Sequence, residues 1–211
     1  MTRVPGPSLV LVAILTMAGT AGCRLQPPDV PAPRMIEPQL LEPTPTQPPA
    51  SASPASPAGE VIAVRLLETQ ARAHLGRRLL HKQLYGELVE DPVWRWTSSP
   101  DRYFDSTLRL AMAASGRVRQ VDTGNAATMA VTLLEWHVEA GATAHLVGTA
   151  ELQITRMDRT VRTEVVRRTE AVSGDLPGDL APAAGRLLHS LVSECLARVA
   201  QALRLEQRTS W

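Results

Sequence analysis

Hydrophobic and polar positions alternate differently in three successive stretches of this chain. Leu9 to Met17 is an apolar run interrupted only by Thr16, Arg24 to Gly59 has almost no periodicity, and from Val61 onward apolar residues recur with periods of two or about four. The third stretch is long enough to bury one hydrophobic core. Within it, Val61–Glu68 and Arg77–Tyr85 read as strands. A helix follows, with Ser99 at the N-cap, Pro100 at the first helical position and Asp101 in the first turn. Phe104, Leu108 and Met112 then repeat every fourth residue, and Gly116 is the candidate C-cap.

Thr128–Val138 is apolar at Met129, Val131 and Leu133, then changes phase to Leu134, Trp136 and Val138. A one-residue shift in a period-two pattern predicts a bulge or bend near Leu133. After a turn at Gly141, Ala144–Thr155 alternates, with Leu146, Gly148, Ala150, Leu152 and Ile154 on one face. Met157–Thr160 reads as a second tight turn. The strand after it, Val161–Val172, is polar on both faces, which suits a solvated or edge position. Asp179 is placed to cap a long final helix, whose apolar stripe includes Leu188, Leu191, Val192, Cys195, Val199 and Leu203. These elements predict an α+β two-layer sandwich over residues 60–211, a mainly antiparallel sheet packed against two helices.

The first 22 residues read as a secretory signal: Arg3 is the positive flank, Leu9–Met17 the apolar core and Thr20-Ala21-Gly22 the small residues before cleavage. Small residues immediately before Cys23 look like a lipobox, which makes Cys23 the candidate lipidation site; cleavage near "AGTAG", leaving Cys23 as a thiol, is the rival reading. Two or three acyl chains would anchor stably where one alone holds marginally. Arg24, rather than an aspartate, follows the cysteine and favours the outer membrane. Residues 23–59 contain eleven prolines and read as a disordered linker. Its reach at full stretch is on the order of 100 Å. Inside it, "MIEPQLLEP" (Met35–Pro43) groups Met35, Ile36, Leu40 and Leu41, which could dock on the domain or on a partner.

Removing residues 1–22 takes away Arg3 and no acid, leaving 21 basic and 21 acidic residues. No basic excess remains to displace phosphate counterions, so nucleic acid is not expected as a partner. The only other cysteine, Cys195, lies in the helical stripe and reads as a buried core thiol. His74, His81, His137, His145 and His189 lack metal-ligand spacing, and His137 and His145 read as solvated strand histidines. No catalytic motif, metal site or cofactor site is found, so no enzyme activity is expected.

The unusual stretch is Tyr85–Pro100, "YGELVEDPVWRWTSSP", in a chain only 3% aromatic. Trp94 and Trp96 share one face if the segment is extended. They either close the end of the core or, with Arg95 between them, form an exposed anchor for a partner. Tyr85, Trp94, Arg95 and Trp96 are the candidate partner-binding residues.

In order along the chain come "RLL" at Arg78–Leu80, Tyr85, the Trp96–Pro100 element, a helix with Leu108, and "VRQVD" at Val118–Asp122; "TAELQI" ends a hairpin and "AAGRLLHSLVSECLARVA" forms the last helix. This order resembles the auxiliary lipoproteins of ABC-type transport systems, the outer-membrane lipoproteins that accompany MCE-domain proteins in lipid trafficking. The resemblance covers roughly residues 60–205. It implies a non-catalytic, lipid-anchored periplasmic domain that docks an MCE-domain protein, in a ring-like homo-oligomer, at the outer membrane. The alternative is a periplasmic lipoprotein that itself holds a lipid or cell-wall fragment.

Overall fold

Thirteen residues, Ala127–Glu139, form the spine of a nine-stranded sheet. In this computed structural model, residues 31–40, 61–157, 159–174 and 177–209 are described, and the elements below belong to one unit beginning at Pro33. In chain order they are β1 (Arg34–Ile36), β2 (Ile62–Leu66), β3 (Gln70–Ala71), β4 (Arg78–Lys82), β5 (Leu88–Trp96), α1 (Pro100–Ala114), β6 (Val118–Gln120), β7 (Ala127–Glu139), β8 (His145–Arg156), β9 (Arg159–Ala171) and α2 (Leu180–Thr209). The cysteine read as a lipidation site, Cys23, lies outside the described residues.

On one side of β7 runs β8, and β9 pairs antiparallel with β8 beyond it. The other side of β7 is shared by three short strands laid end to end, β2, β3 and β4, all parallel to it. Beyond β2 lies β6, and beyond β4 lie β5 and then β1. The sheet is therefore mixed, though its long pairings, β7–β8 and β8–β9, are antiparallel. Both helices cover one face, so the α+β two-layer architecture is observed.

The expected phase change in β7 is present: its register with β8 shifts between Leu133 and Glu135. The bulge keeps apolar side chains on the helix side at both ends of the strand, so Met129 and Trp136 are both buried. Trp136 lies opposite Gly148 on β8. A Cβ at Gly148 would sit 3.2 Å from a Leu187 methyl and 3.3 Å from the Trp136 ring, so the missing side chain lets α2 close on the sheet.

The α1 helix begins where its sequence predicts, with Ser99 in extended N-cap geometry and Pro100 first. The Ser99 side chain makes no capping hydrogen bond, and Ser115 rather than Gly116 is the C-cap. Phe104, Leu108 and Met112 are buried on one face. Thr69 N–H and Oγ1–H both donate to Asp105 Oδ1, at 3.3 and 3.1 Å, tying α1 to the chain after β2. The α2 helix, about 45 Å long at 1.5 Å per residue, lies on β8 and β9 and buries Leu187, Leu191 and Cys195 completely.

Two readings left open by the sequence are resolved, and a third, of a histidine, is corrected. The region 23–59, read as linker, contributes a strand: β1 pairs parallel with β5, and Ile36 is in the core. Ile36 and Pro38 supply the burial that a proline-rich tract otherwise lacks, and Gln39 N–H donates to the Ala181 carbonyl at 3.0 Å. Second, the Tyr85–Pro100 stretch contains the nine-residue strand β5. Third, His137 is 2% exposed rather than solvated, and its Nε2 lies 3.2 Å from Glu139 Oε1. His145 stands opposite Glu139 and away from His137.

Candidate docking face

Strands β4 and β5 form a hairpin whose turn holds Leu84, Tyr85 and Gly86. Gly86 N–H donates to the Gln83 carbonyl at 2.9 Å, and Gln83 N–H donates to the Glu87 carbonyl at 2.8 Å. Gly86 has φ +85°, a left-handed conformation that a side chain disfavours, so glycine fixes the shape of the tip. That tip presents Leu84 and Tyr85, 92% and 100% exposed, with Leu88 and Val89 partly exposed behind them. These two large apolar side chains therefore contribute nothing to the packing of the core.

Below the tip, β5 is interrupted by Asp91 and Pro92. Opposite β4 the register slips between Leu80↔Glu90 and Arg78↔Arg95, leaving extra residues on β5. Pro92 offers no N–H to the ladder, which confines it to such an irregularity. Asp91 Oδ1 accepts from the Val93 and Trp94 N–H groups at 2.9 and 2.8 Å, and Oδ2 lies 3.0 Å from His81 Nε2. Burial pushes the Asp91 carboxyl up, but the Trp94 and Val93 N–H groups and His81 together hold it below its ordinary value. Asp91 thus sets the kink that aims the two tryptophans.

Of the four candidate partner-binding residues, the structure brings only Tyr85 to the surface without restraint. Trp96 is 1% exposed and meets Trp136 edge-on, centroids 6.0 Å apart and planes at 67°. Its Nε1–H has no acceptor among the described residues, so it serves the core through shape alone. Trp94 is half-buried against the same core, with the Arg34 guanidinium 5.5 Å above its ring. The β1 segment closes this end: Thr97 N–H donates to the Ile36 carbonyl at 2.9 Å. Sequence reasoning missed Leu84, although its place beside Tyr85-Gly86 at a turn carried the signal.

Arg95 points differently from its tryptophan neighbours. With His74, Arg77, Arg78, Leu88 and Glu90 it lines an open depression of about 460 Å³ at the hairpin's base. Arg78 is paired with Glu90, and Arg77 Nε–H donates to the Trp96 carbonyl at 3.2 Å. The buried Arg95 Nε has no acceptor among the described residues. The depression at the hairpin's base therefore carries three arginines against one glutamate.

A second concave region lies between the helices. One depression, about 310 Å³, is lined by Leu110, Ala111, Gly185, His189 and Leu196, with Leu40 at its rim. It shares Ser193 and Leu196 with another of about 420 Å³ reaching Arg117 and Arg204. Elsewhere, burial first of all pushes the Cys195 thiol up to about 12, which makes it unreactive. No cluster that could hold a metal ion occurs among the described residues, and no described helix is long and apolar enough to cross a membrane.

No protein-family model matches the sequence, and no curated protein matches it. Solved structures share the fold. Protein XCC0632 from Xanthomonas campestris, of family model DUF330, aligns with a TM-score of 0.67 at 12% identity over 83% of this chain and 99% of that one. An uncharacterized protein aligns at 0.52 and 12% identity over 68% and 94%. The hypothetical protein CT253 from Chlamydia trachomatis aligns at 0.51 and 11% identity, over 67% and 96%. At these identities the likeness is one of fold: the chain has the α+β architecture of these proteins over nearly their whole length.

Proposed function

We propose that this protein is the lipid-anchored periplasmic docking component of an ABC-type MCE lipid transport system, and that it acts without catalysing a reaction. The observation that carries this reading is the fully exposed Leu84–Tyr85 pair on a hairpin whose base is locked into the core by Trp96. Acylation of Cys23 would hold the chain at the outer membrane through the ten residues that precede β1, a tether of roughly 30 Å at full stretch. Tethering raises the effective concentration near an MCE-domain partner without adding contacts. The apolar tip would enter a groove on that partner, while Arg77, Arg78 and Arg95 would meet acidic residues at its rim.

In-cell crosslinking followed by affinity purification through a C-terminal tag tests the reading. The expected result is an MCE-domain protein recovered with the wild-type chain and lost with Leu84→Ser/Tyr85→Ser. Recovery of lipid or cell-wall fragments without such a protein would overturn it. That outcome would support a second reading, in which the domain binds a lipid or cell-wall ligand itself. The apolar groove between α1 and α2 is the observation that favours this alternative.

A further inference from the structure

The outer edge of β9 is long and, among the described residues, pairs with no other strand: β9 runs from Arg159 to Ala171 and its only partner is β8. An open edge of that length exposes a row of backbone donors and acceptors, which proteins usually shorten, cover or block. Its side chains carry a pattern suited to one occupant. Glu164, Val166, Arg168 and Glu170 face α2, where Glu164 pairs with Arg198, Arg168 with Glu194 at 2.9 Å, and Glu170 with Arg186 at 3.2 Å. Thr163, Val165, Arg167 and Thr169 are exposed on the other face.

Read outward from Val166, the sequence "RTEVVRRTE" (Arg162–Glu170) is charge-complementary to its own reverse. We propose that two copies of this chain pair antiparallel through β9, about a two-fold axis at Val166 perpendicular to the sheet, so that one sheet continues through both. In that register Arg162 stands opposite Glu170 of the second copy and Glu164 opposite Arg168. Val166 meets Val166, Thr163 meets Thr169, and Val165 meets Arg167. Opposite charges facing each other across antiparallel strands stabilise the pair, and like charges oppose it.

The neighbouring registers are disfavoured by the same residues. Moving the axis to Val165 sets Arg162 against Arg168, and moving it to Arg167 sets Glu164 against Glu170. Axes at Glu164 or Arg168 place a charge opposite its own copy. The polar edge therefore does more than repel chance partners: it selects one alignment with one partner, itself. The ion pairs to α2 hold these charges in place before the copies meet. This inference stands independently of the transport reading, because it rests on β9 alone.

Disulfide trapping with the full chain in detergent micelles tests the register. Facing residues of an antiparallel pair have Cα atoms about 4.5–5.5 Å apart, within disulfide reach. Thr163→Cys and Thr169→Cys variants are purified separately, mixed and mildly oxidised, and the links are mapped by mass spectrometry. The expected result is a disulfide joining position 163 of one copy to position 169 of the other in the mixture. Neither variant alone should link two of its own copies through the introduced thiol, since those sites would stand roughly 20 Å apart. Mapping separates these links from any through Cys23, and Cys195 is buried. Absence of the mixed link, or equal linking in the single-variant samples, would overturn the proposal.

Light scattering supplies a second readout at a position that does not support the fold. Val165 is 61% exposed, and Val165→Lys would set two like-charge pairs against Arg167 in the proposed register. The wild type should show twice the chain mass, and Val165→Lys should shift the equilibrium roughly tenfold toward single chains. Its melting transition as a monomer should be unchanged, and Val165→Glu should retain the doubled mass. A larger assembly that still gives the mixed disulfide between positions 163 and 169 would retain this interface and add another. A wild type of single-chain mass, or a Val165→Lys variant as associated as wild type, would refute the pairing.

Discussion

Two halves of the sheet solve the same problem by different means. In β7, β8 and β9, long antiparallel strands follow one another through tight turns, with α2 over β8 and β9 and the faces set by alternation apart from the register shifts in β7 and β8–β9. In β1, β4 and β5, short strands meet in mixed directions, β5 is broken by Asp91-Pro92, and the end is closed by a strand from the proline-rich tract. The first half derives stability from a repeated pattern. The second depends on a few specific contacts: two tryptophans, one aspartate and one glycine. Regular pairing leaves an edge for assembly, whereas the irregular hairpin leaves a tip for docking.

The largest expected effect separates the tryptophans. Trp96→Ala and Trp136→Ala each remove a buried ring and should cost about 3–5 kcal/mol in chemical denaturation, because the rings pack on each other. Trp94→Ala, half-buried under Arg34, should cost clearly less. Equal losses at Trp94 and Trp96 would erase the distinction between core and rim.

Next comes the closure of the irregular half. A Cβ at Gly185 would collide with the Gln39 carbonyl oxygen. Gly185→Ala favours the helix by up to about 1 kcal/mol, yet it should release residues 33–40 from α2. Limited proteolysis at Arg34 should then proceed faster than in wild type, with α2 intact by circular dichroism. Unchanged protection would show that this close approach does not hold the segment. In the regular half, Gly148→Ala should cost about 1–3 kcal/mol through overpacking against Trp136 and Leu187.

The kink supplies a pH-dependent comparison. The Asp91 carboxyl is held below its ordinary value when folded, so the folded state binds a proton there less readily than the unfolded chain. Its stabilisation is present above the ordinary carboxylate pKa, about 4, and is lost as pH falls through the lowered folded value. Glu139 behaves alike: its bond from Lys82 comes first, and His137 and Arg167 add to it, lowering the carboxyl against the effect of burial. Asp91→Asn should destabilise at neutral pH and flatten the acid limb of the stability curve; an unchanged limb would remove Asp91 from this role. The smallest effect on the fold belongs to the hairpin tip. Leu84→Ser/Tyr85→Ser should change stability within about 0.5 kcal/mol, as for exposed surface sites.

The regular half was legible residue by residue. Alternation placed the faces of β8, the phase change at Leu133 located the β7 bulge, and fourfold spacing placed Phe104, Leu108 and Met112 on the buried side of α1. Those signals are local, since a period of two or of 3.6 is set by backbone geometry within a single element. The irregular half left weaker traces. Pro92 and two adjacent acids break the alternation of β5, and proline density hid β1, because its burial depends on a surface made by residues far along the chain.

Sequence by itself determined the order of the long elements, which faces of them are apolar, the near balance of charge at net +1 and the self-complementary pattern of β9. Each of these depends only on residue types at fixed spacing. Tertiary structure alone decided that Trp96 is core while Tyr85 is free, that His137 is buried beside Glu139, and that Ile36 completes the sheet. A side chain's exposure depends on what the rest of the chain brings against it, and in this fold those partners come from dozens of residues away.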